Sequence, residues 1–208
     1  EHEDVVMAMP FLAASADYER GTREMPEIKK KVVVIGSGNV AFDVARTLIR
    51  LQNTKYGKSH VMMAALENAS QVPADIEEVE EGTEEGIMFN LGCGPQEIVI
   101  DEKSGNIKGV EVFKCVQLFD ENGRFSPEFD PEVSQCIEAD QVYLAIGQMP
   151  DFSYIPDHLK SEMTIERGKI KKLKSGQVKG VPWLFAGGDI VKGMDIINGI
   201  ANGHDAAI

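Results

Sequence analysis

The sequence predicts an α/β fold built on a parallel sheet, and three stretches carry that prediction. Val32-Val33-Val34-Ile35 is a run of four apolar residues rich in β-branched side chains, the pattern of a strand buried on both faces. Helical spacing follows at once, with Val40, Ala41, Val44, Ala45 and Leu48 on one face and Asp43, Arg46 and Arg50 on the other. A second buried strand, Gln141 to Ile146, is closed by Gly147.

The elements read as follows in chain order. Residues 4–14 are moderately apolar and predict a short helix or crossover, and 19–30 is a charged linker. The first strand is 31–35, and its helix runs from Asn39 to Leu51. Asn53 to Ser59 is polar and reads as a loop before the second strand, His60 to Ala65. Pro73 falls where a helix N1 proline belongs, with Asp75, Glu77 and Glu78 following as first-turn acids. Ala74, Ile76 and Val79 form the apolar side of that helix, and Gly86 ends it. From Ile87 the period changes: 87–89 is a short strand. Glu97–Ile100 and Val110–Leu118 form a hairpin around Ser104-Gly105-Asn106. Glu121-Asn122-Gly123 marks another turn, with a returning strand at Cys136 to Glu138. The expected core is therefore a βαβ unit carrying an antiparallel insertion. Beyond Pro150 come short strands near Met163 and Lys169, the strand Val181 to Phe185, and a helical tail from about Met194.

The first strand runs into Gly36-Ser37-Gly38-Asn39-Val40-Ala41, a G-x-G-x-x-A turn that opens a helix. A dinucleotide pyrophosphate needs this layout. Gly36 permits the tight turn, Gly38 lets backbone approach the phosphates, and small Ala41 lets helix and strand pack closely. The helix N-terminus offers free N–H groups and partial positive charge, with Asn39 as N-cap or phosphate neighbour. A plain β-turn-α is the alternative. The second chemical signal is Ala186-Gly187-Gly188-Asp189 at the end of a strand. A carboxylate there suits hydrogen bonding to a polyol or ribose hydroxyl, and the competing reading is that Asp189 caps a turn.

Composition narrows the classes. The 208 residues carry a formal charge of −13, which argues against nucleic acid or an anionic membrane as partner. No apolar run approaches the roughly 20 residues of a membrane span. Cys93, Cys115 and Cys136 form no C-x-x-C pair, so neither a cluster nor a zinc site is expected, and sparse cysteines suit the cytoplasm. No nucleophile–base pair is evident, which fits chemistry done by cofactors.

Three blocks together resemble the flavin-containing part of the glutamate synthase small (β) subunit and related NAD(P)H-dependent oxidoreductases with two dinucleotide folds. They are residues 32–46, residues 144–151 and residues 185–193, with the tail 196–203; Pro73-Ala74-Asp75 and Glu84-Glu85-Gly86-Ile87 also match. The resemblance implies a nicotinamide domain at 29–150 inserted into an FAD domain formed by 1–28 and 151–208. It implies a Rossmann-like first domain and part of a second. Gly147, Gly188 and Asp189 would belong to the cofactor sites, with Asp189 at the flavin's ribityl–phosphate region. The backbone near Ile196 and Ile197 would face the isoalloxazine edge. The implied reaction is hydride transfer from NAD(P)H to FAD, with electrons passed to a partner subunit or an iron–sulfur centre. A non-catalytic nucleotide-binding or docking module is the alternative.

Two departures from the family sharpen the expectations. Only one glycine fingerprint is present, whereas the family's FAD fingerprint and cysteine-rich domain lie N-terminal to this region. The chain is therefore expected to be part of a larger protein, with an incomplete FAD site. Second, NADPH-using relatives carry two arginines after the second strand, where this chain has Leu66 and Glu67, and no Lys or Arg lies between Lys58 and Lys103. A carboxylate accepts hydrogen bonds from ribose hydroxyls and repels a 2′-phosphate, so NAD(H) is expected in preference to NADP(H).

Overall fold

A strand of four apolar residues needs apolar neighbours on both faces, and the fold supplies a different partner layer on each. The computed structural model describes residues 2–191 and 196–207. Two units divide the chain, Glu1–Gly147 and Gln148–Ile208.

The first unit contains β1 (Val5–Met7), α1 (Ala8–Glu19), β2 (Val32–Ile35), α2 (Asn39–Tyr56), β3 (Val61–Ala65), α3 (Ile76–Glu85), β4 (Met88–Leu91), β5 (Cys93–Ile100), β6 (Ile107–Phe119), β7 (Phe125–Glu138) and β8 (Gln141–Leu144). Five strands form a sheet in the order β1-β8-β2-β3-β4, and every pairing in it is parallel. Side chains of β2 alternate between two cores. Val32 and Val34 pack with Phe11, Phe42, Leu48 and Tyr143 beneath the helices. Val33 and Ile35 pack with Ile107, Val110, Val112 and Ile137 of the antiparallel sheet β5-β6-β7. The predicted insertion is thus the second covering layer of the sheet.

Several boundaries differ from the sequence reading for identifiable reasons. Helix α2 runs five residues beyond Leu51, to Tyr56, and stops at Gly57, whose φ of 70° is the left-handed helix end glycine favours. Its polar last turn is a solvent face that still anchors inward, since Tyr56 Oη donates to the Ile28 carbonyl at 2.7 Å. Helix α3 begins at Ile76 behind Asp75, so Pro73 precedes the helix instead of occupying N1, and Ile76 is exposed. Strand β4 joins the parallel sheet beside β3. Strand β7 spans 14 residues where only its last three were expected. It contains Pro127 and Pro131, which fall where its register with β6 breaks, and Pro95 lies in β5; both are edge strands, where outward N–H groups have no ladder partner, whereas central β6 has no proline.

The segment 1–28, read as part of the FAD domain, packs within the first unit. β1 pairs with β8 (Val5 with Val142, Met7 with Leu144), and α1 contributes Ala8 and Phe11 to the core beneath the helices. The unit ends at Gly147, three residues before the expected boundary. Buried Gln52 closes this layer with three hydrogen bonds: its Nε2 donates to the carbonyls of Lys29 (2.7 Å) and Lys30 (3.1 Å), and its Oε1 accepts from His60 N–H (2.7 Å).

The second unit holds α4 (Asp157–Glu162), two small antiparallel sheets, β9 (Ile165–Glu166) with β10 (Lys169–Ile170) and β11 (Gln177–Val178) with β12 (Val181–Phe185), a 3₁₀ turn at Gly188–Ile190, and α5 (Ile196–Ala207). Met163, Ile170, Val178, Val181 and Ala186 form its core. The expected helix start near Met194 lies outside the described residues.

Candidate functional site

A parallel sheet gathers the carboxyl ends of its strands along one edge. Successive crossovers from β2 run to β3 and then β4, while β8 and β1 lie on the other side of β2. The crevice at such a reversal is where open α/β sheets bind ligands. The residues that leave β2, β3 and β8 at that edge are the fingerprint turn, Leu66-Glu67 and Ala145–Gly147.

Gly36 and Gly38 play unlike parts. Gly36 has φ +127°, and a Cβ there would stand 2.4 Å from the Ala145 carbonyl oxygen, so this glycine is demanded by the chain leaving β8. Gly38 has an ordinary φ of −82° as N-cap of α2, and a Cβ on it would meet nothing within 4 Å. The space over Gly38 is open. The first turn of α2 carries no acidic residue of its own, so the positive dipole end takes no opposing charge from within the helix. Ser37 is buried, Asn39 exposed and Val40 half-buried, while Ala41 is wholly buried against the sheet.

Two side-chain contacts tie the segment after β3 to this turn. Ser37 Oγ donates to Glu67 Oε2 at 2.8 Å. Asn39 Nδ2 donates to Asp75 Oδ2 at 2.8 Å, and the Asp75 N–H donates back to Asn39 Oδ1 at 2.8 Å. The Glu67 backbone is held as well: its carbonyl accepts from Gly92 N–H at 2.9 Å, and the Gly92 carbonyl accepts from Cys115 N–H at 2.8 Å. Burial pushes the thiols of Cys93 and Cys115 above their ordinary range, so neither is an activated nucleophile. Gly147, with φ +103°, is exposed beyond β8. Sequence reasoning brought Ser37, Asn39 and Glu67 to one site but took Asp75 as a helix acid. Its position immediately before α3 was the available signal, since an N-cap side chain faces the preceding turn.

The second unit carries the other predicted residues. Gly187 is extended, and a Cβ on it would press to 2.7 Å from Asn202 Cβ; Gly188, at φ +69°, donates its N–H to Asn202 Oδ1 at 3.0 Å. Asp189 is exposed, its backbone carbonyl accepts from Lys169 Nζ, and the 3₁₀ turn has no side-chain cap. Ile196 and Ile197 open α5, both exposed. A cavity of about 230 Å³ lies between Phe185–Gly187 and Gly199, Asn202, Gly203 and Ala206 of α5. Among the described residues, no group of three or more His, Cys, Asp or Glu could hold a metal ion, and no helix is long and apolar enough to cross a membrane.

The chain has relatives among known proteins. The profile of the family described as pyridine nucleotide-disulphide oxidoreductase matches residues 10–207. The NADPH-Fe(3+) oxidoreductase subunit beta of Geobacter sulfurreducens is 33% identical over 202 residues, covering 86% of this chain and 29% of the relative. The glutamate synthase [NADPH] small chain of Escherichia coli is 31% identical over 224 residues, covering 100% of this chain and 45% of the relative. The chain thus spans less than half of either. Among solved structures, T. acidophilum thioredoxin reductase superposes with TM-score 0.61 at 22% identity, over 86% of this chain and 50% of that one. FprA from Mycobacterium tuberculosis in complex with NADPH superposes with TM-score 0.65 at 17% identity, over 85% and 51%. These two establish likeness of fold.

Proposed function

The chain belongs to the pyridine nucleotide-disulphide oxidoreductase family, and from that premise we propose that it serves hydride transfer from NADH to FAD within a larger flavoprotein. The observation that carries the reading is the Ser37–Glu67 hydrogen bond beside the open space over Gly38. It sets a carboxylate at the tip of the second strand of a βαβ unit, where a ribose diol is recognised.

In this reading the backbone of Gly38 to Ala41 and the α2 dipole hold the pyrophosphate. Glu67 accepts hydrogen bonds from the adenosine ribose, and Ser37 fixes the orientation of that carboxylate. A 2′-phosphate would face the same carboxylate with no Lys or Arg between residues 58 and 103 to offset it, so NADH is the proposed donor although the two relatives are named for NADPH. When bound, the nicotinamide supplies a hydride and the flavin accepts it; this chain binds, orients and excludes water. Gly188 and Asp189 are assigned to the flavin's ribityl–phosphate region, and the backbone at Ile196 and Ile197 to its ring edge. Gly147 is assigned to the nicotinamide side. The proposed domains are 29–150 for the nicotinamide and 1–28 with 151–208 for FAD, the segment 1–28 packing within the first unit. Both named relatives are a subunit or a small chain by name, which supports an electron-transfer partner subunit as the next acceptor, and a cytoplasmic setting is proposed with it.

Calorimetric titration of the chain with NADH and NADPH tests the nucleotide half. Tighter binding of NADH is expected, and tighter NADPH would overturn the role of Glu67. The flavin half is tested on the flavin-loaded protein that carries this chain, whose flavin absorbance is expected to bleach on adding NADH. No bleaching would leave a nucleotide-binding module without hydride transfer.

A further inference from the structure

Asp75 occupies the N-cap of α3, yet its carboxylate makes no capping bond to that helix. Aspartate at this position ordinarily accepts an N–H of the first turn. Here the carboxylate accepts from Asn39 Nδ2 across 36 residues of sequence, and Asn39 Oδ1 accepts from the Asp75 N–H in return, both at 2.8 Å. The helix forgoes its cap, and the side chain is committed to the first residue of α2. A carboxylate near the anion-favouring end of α2 is also a poor choice electrostatically if an anion binds there.

The span closed by this contact is short. Glu67 is pinned at one end by Ser37 and by Gly92 N–H, and Asp75 is pinned at the other by Asn39. Between them the chain is local turn: Gln71 N–H donates to the Asn68 carbonyl, Asn68 Oδ1 accepts from Ser70, and α3 has not begun. Both ends of the 67–75 segment are therefore fastened to the fingerprint turn, at Ser37 and Asn39 on either side of Gly38.

We propose that Asp75 is a positioning residue for the dinucleotide: its two-bond clasp with Asn39 holds the 67–75 segment as a preformed wall beside the fingerprint turn. This rests on the reading of that turn as the dinucleotide site. Holding the wall before binding removes an ordering cost that the ligand would otherwise meet.

The test compares Asp75→Ala with Asp75→Asn in the full 208-residue chain, with NADH titrated by calorimetry and amide exchange followed over 67–75. Asp75→Asn keeps an acceptor for Asn39 Nδ2 and removes the charge. Asp75→Ala removes both, and neither removes a side-chain capping bond of α3. Expected is an NADH affinity weaker by about three- to tenfold for Asp75→Ala, with faster exchange in 67–75, and restored affinity for Asp75→Asn. If both variants bind NADH tighter than the parent chain, Asp75 acts through its charge alone and the clasp is refuted. If both match the parent, the clasp is likewise refuted. If the parent chain binds no NADH while remaining folded, the dinucleotide reading fails and the clasp's role fails with it.

Discussion

Gly36 and Gly38 stand two residues apart in one turn, and substitution separates what each does. Gly36→Ala forces a Cβ against the Ala145 carbonyl at positive φ. We expect it to lower stability by about 2–3 kcal/mol, read by urea unfolding. Gly38→Val points into open space at an ordinary φ. It should cost only about 1 kcal/mol, the loss of a good N-cap residue, while abolishing NADH binding. A valine variant with parental affinity would show that nothing binds over this turn. Glu67→Arg is the clean specificity change. A Cβ on Gly94 would stand 2.8 Å from Leu66 Cδ2 and 2.2 Å from Phe129 Cε1, so Leu66 is packed there and Leu66→Arg would disturb packing as well as charge. One arginine replacing Glu67 adds a charge-assisted contact of roughly 1.5–3 kcal/mol to a 2′-phosphate, so the Kd ratio should move toward NADPH by about ten- to hundredfold.

At the scale of elements, α2 and α3 are joined by charge. Arg46 donates from Nε to Glu85 at 2.9 Å, from Nη1 to Glu78 at 2.7 Å and from Nη2 to Glu81 at 2.5 Å, and Arg50 donates to Glu85 at 2.6 Å. Burial alone would push the Glu85 carboxyl up, but Arg50 and Arg46 together hold it below its ordinary value of 4.5. A depressed carboxyl stabilises the fold above the unfolded value and ceases to do so as pH falls through the folded one. The stability gap between the parent chain and Glu85→Gln should therefore be widest above about pH 5 and close on acidification below it. A gap that stays constant with pH would assign the clamp to packing. The gap between α2 and α3 also requires Gly82, where a Cβ would stand 2.7 Å from Ile87 Cδ1 and 2.9 Å from Phe42 Cδ1.

At the scale of the molecule, the cofactor readings fall on different units, so the ligand's footprint is a direct check. Addition of NADH to the chain is expected to slow amide exchange at 36–41 and 66–68 of the first unit and to leave 187–190 of the second unchanged. Protection at 187–190 by NADH would reverse the assignment of the two sites.

Local sequence specifies the βαβ order, the fingerprint turn and the position of Glu67 after the second strand. Those features depend on neighbours within a few residues: β-branched runs extend, apolar spacing of 3.6 coils, and glycine turns. Sequence alone also placed the antiparallel hairpin, through Ser104-Gly105-Asn106. Tertiary structure decided the rest. Three-residue β1 has too little pattern to declare itself a strand and exists by pairing with β8, some 137 positions later in register. β7 reads as a broken, proline-bearing segment, and only its pairing with β6, which skips Pro127 and Pro131 at register breaks on an edge strand, makes it one strand. The links Ser37–Glu67 and Asn39–Asp75 join residues 30 and 36 positions apart. Their donors and acceptors are ordinary polar side chains in isolation, and only the parallel pairing of β2 with β3 brings the two loops to one edge and gives each side chain its partner.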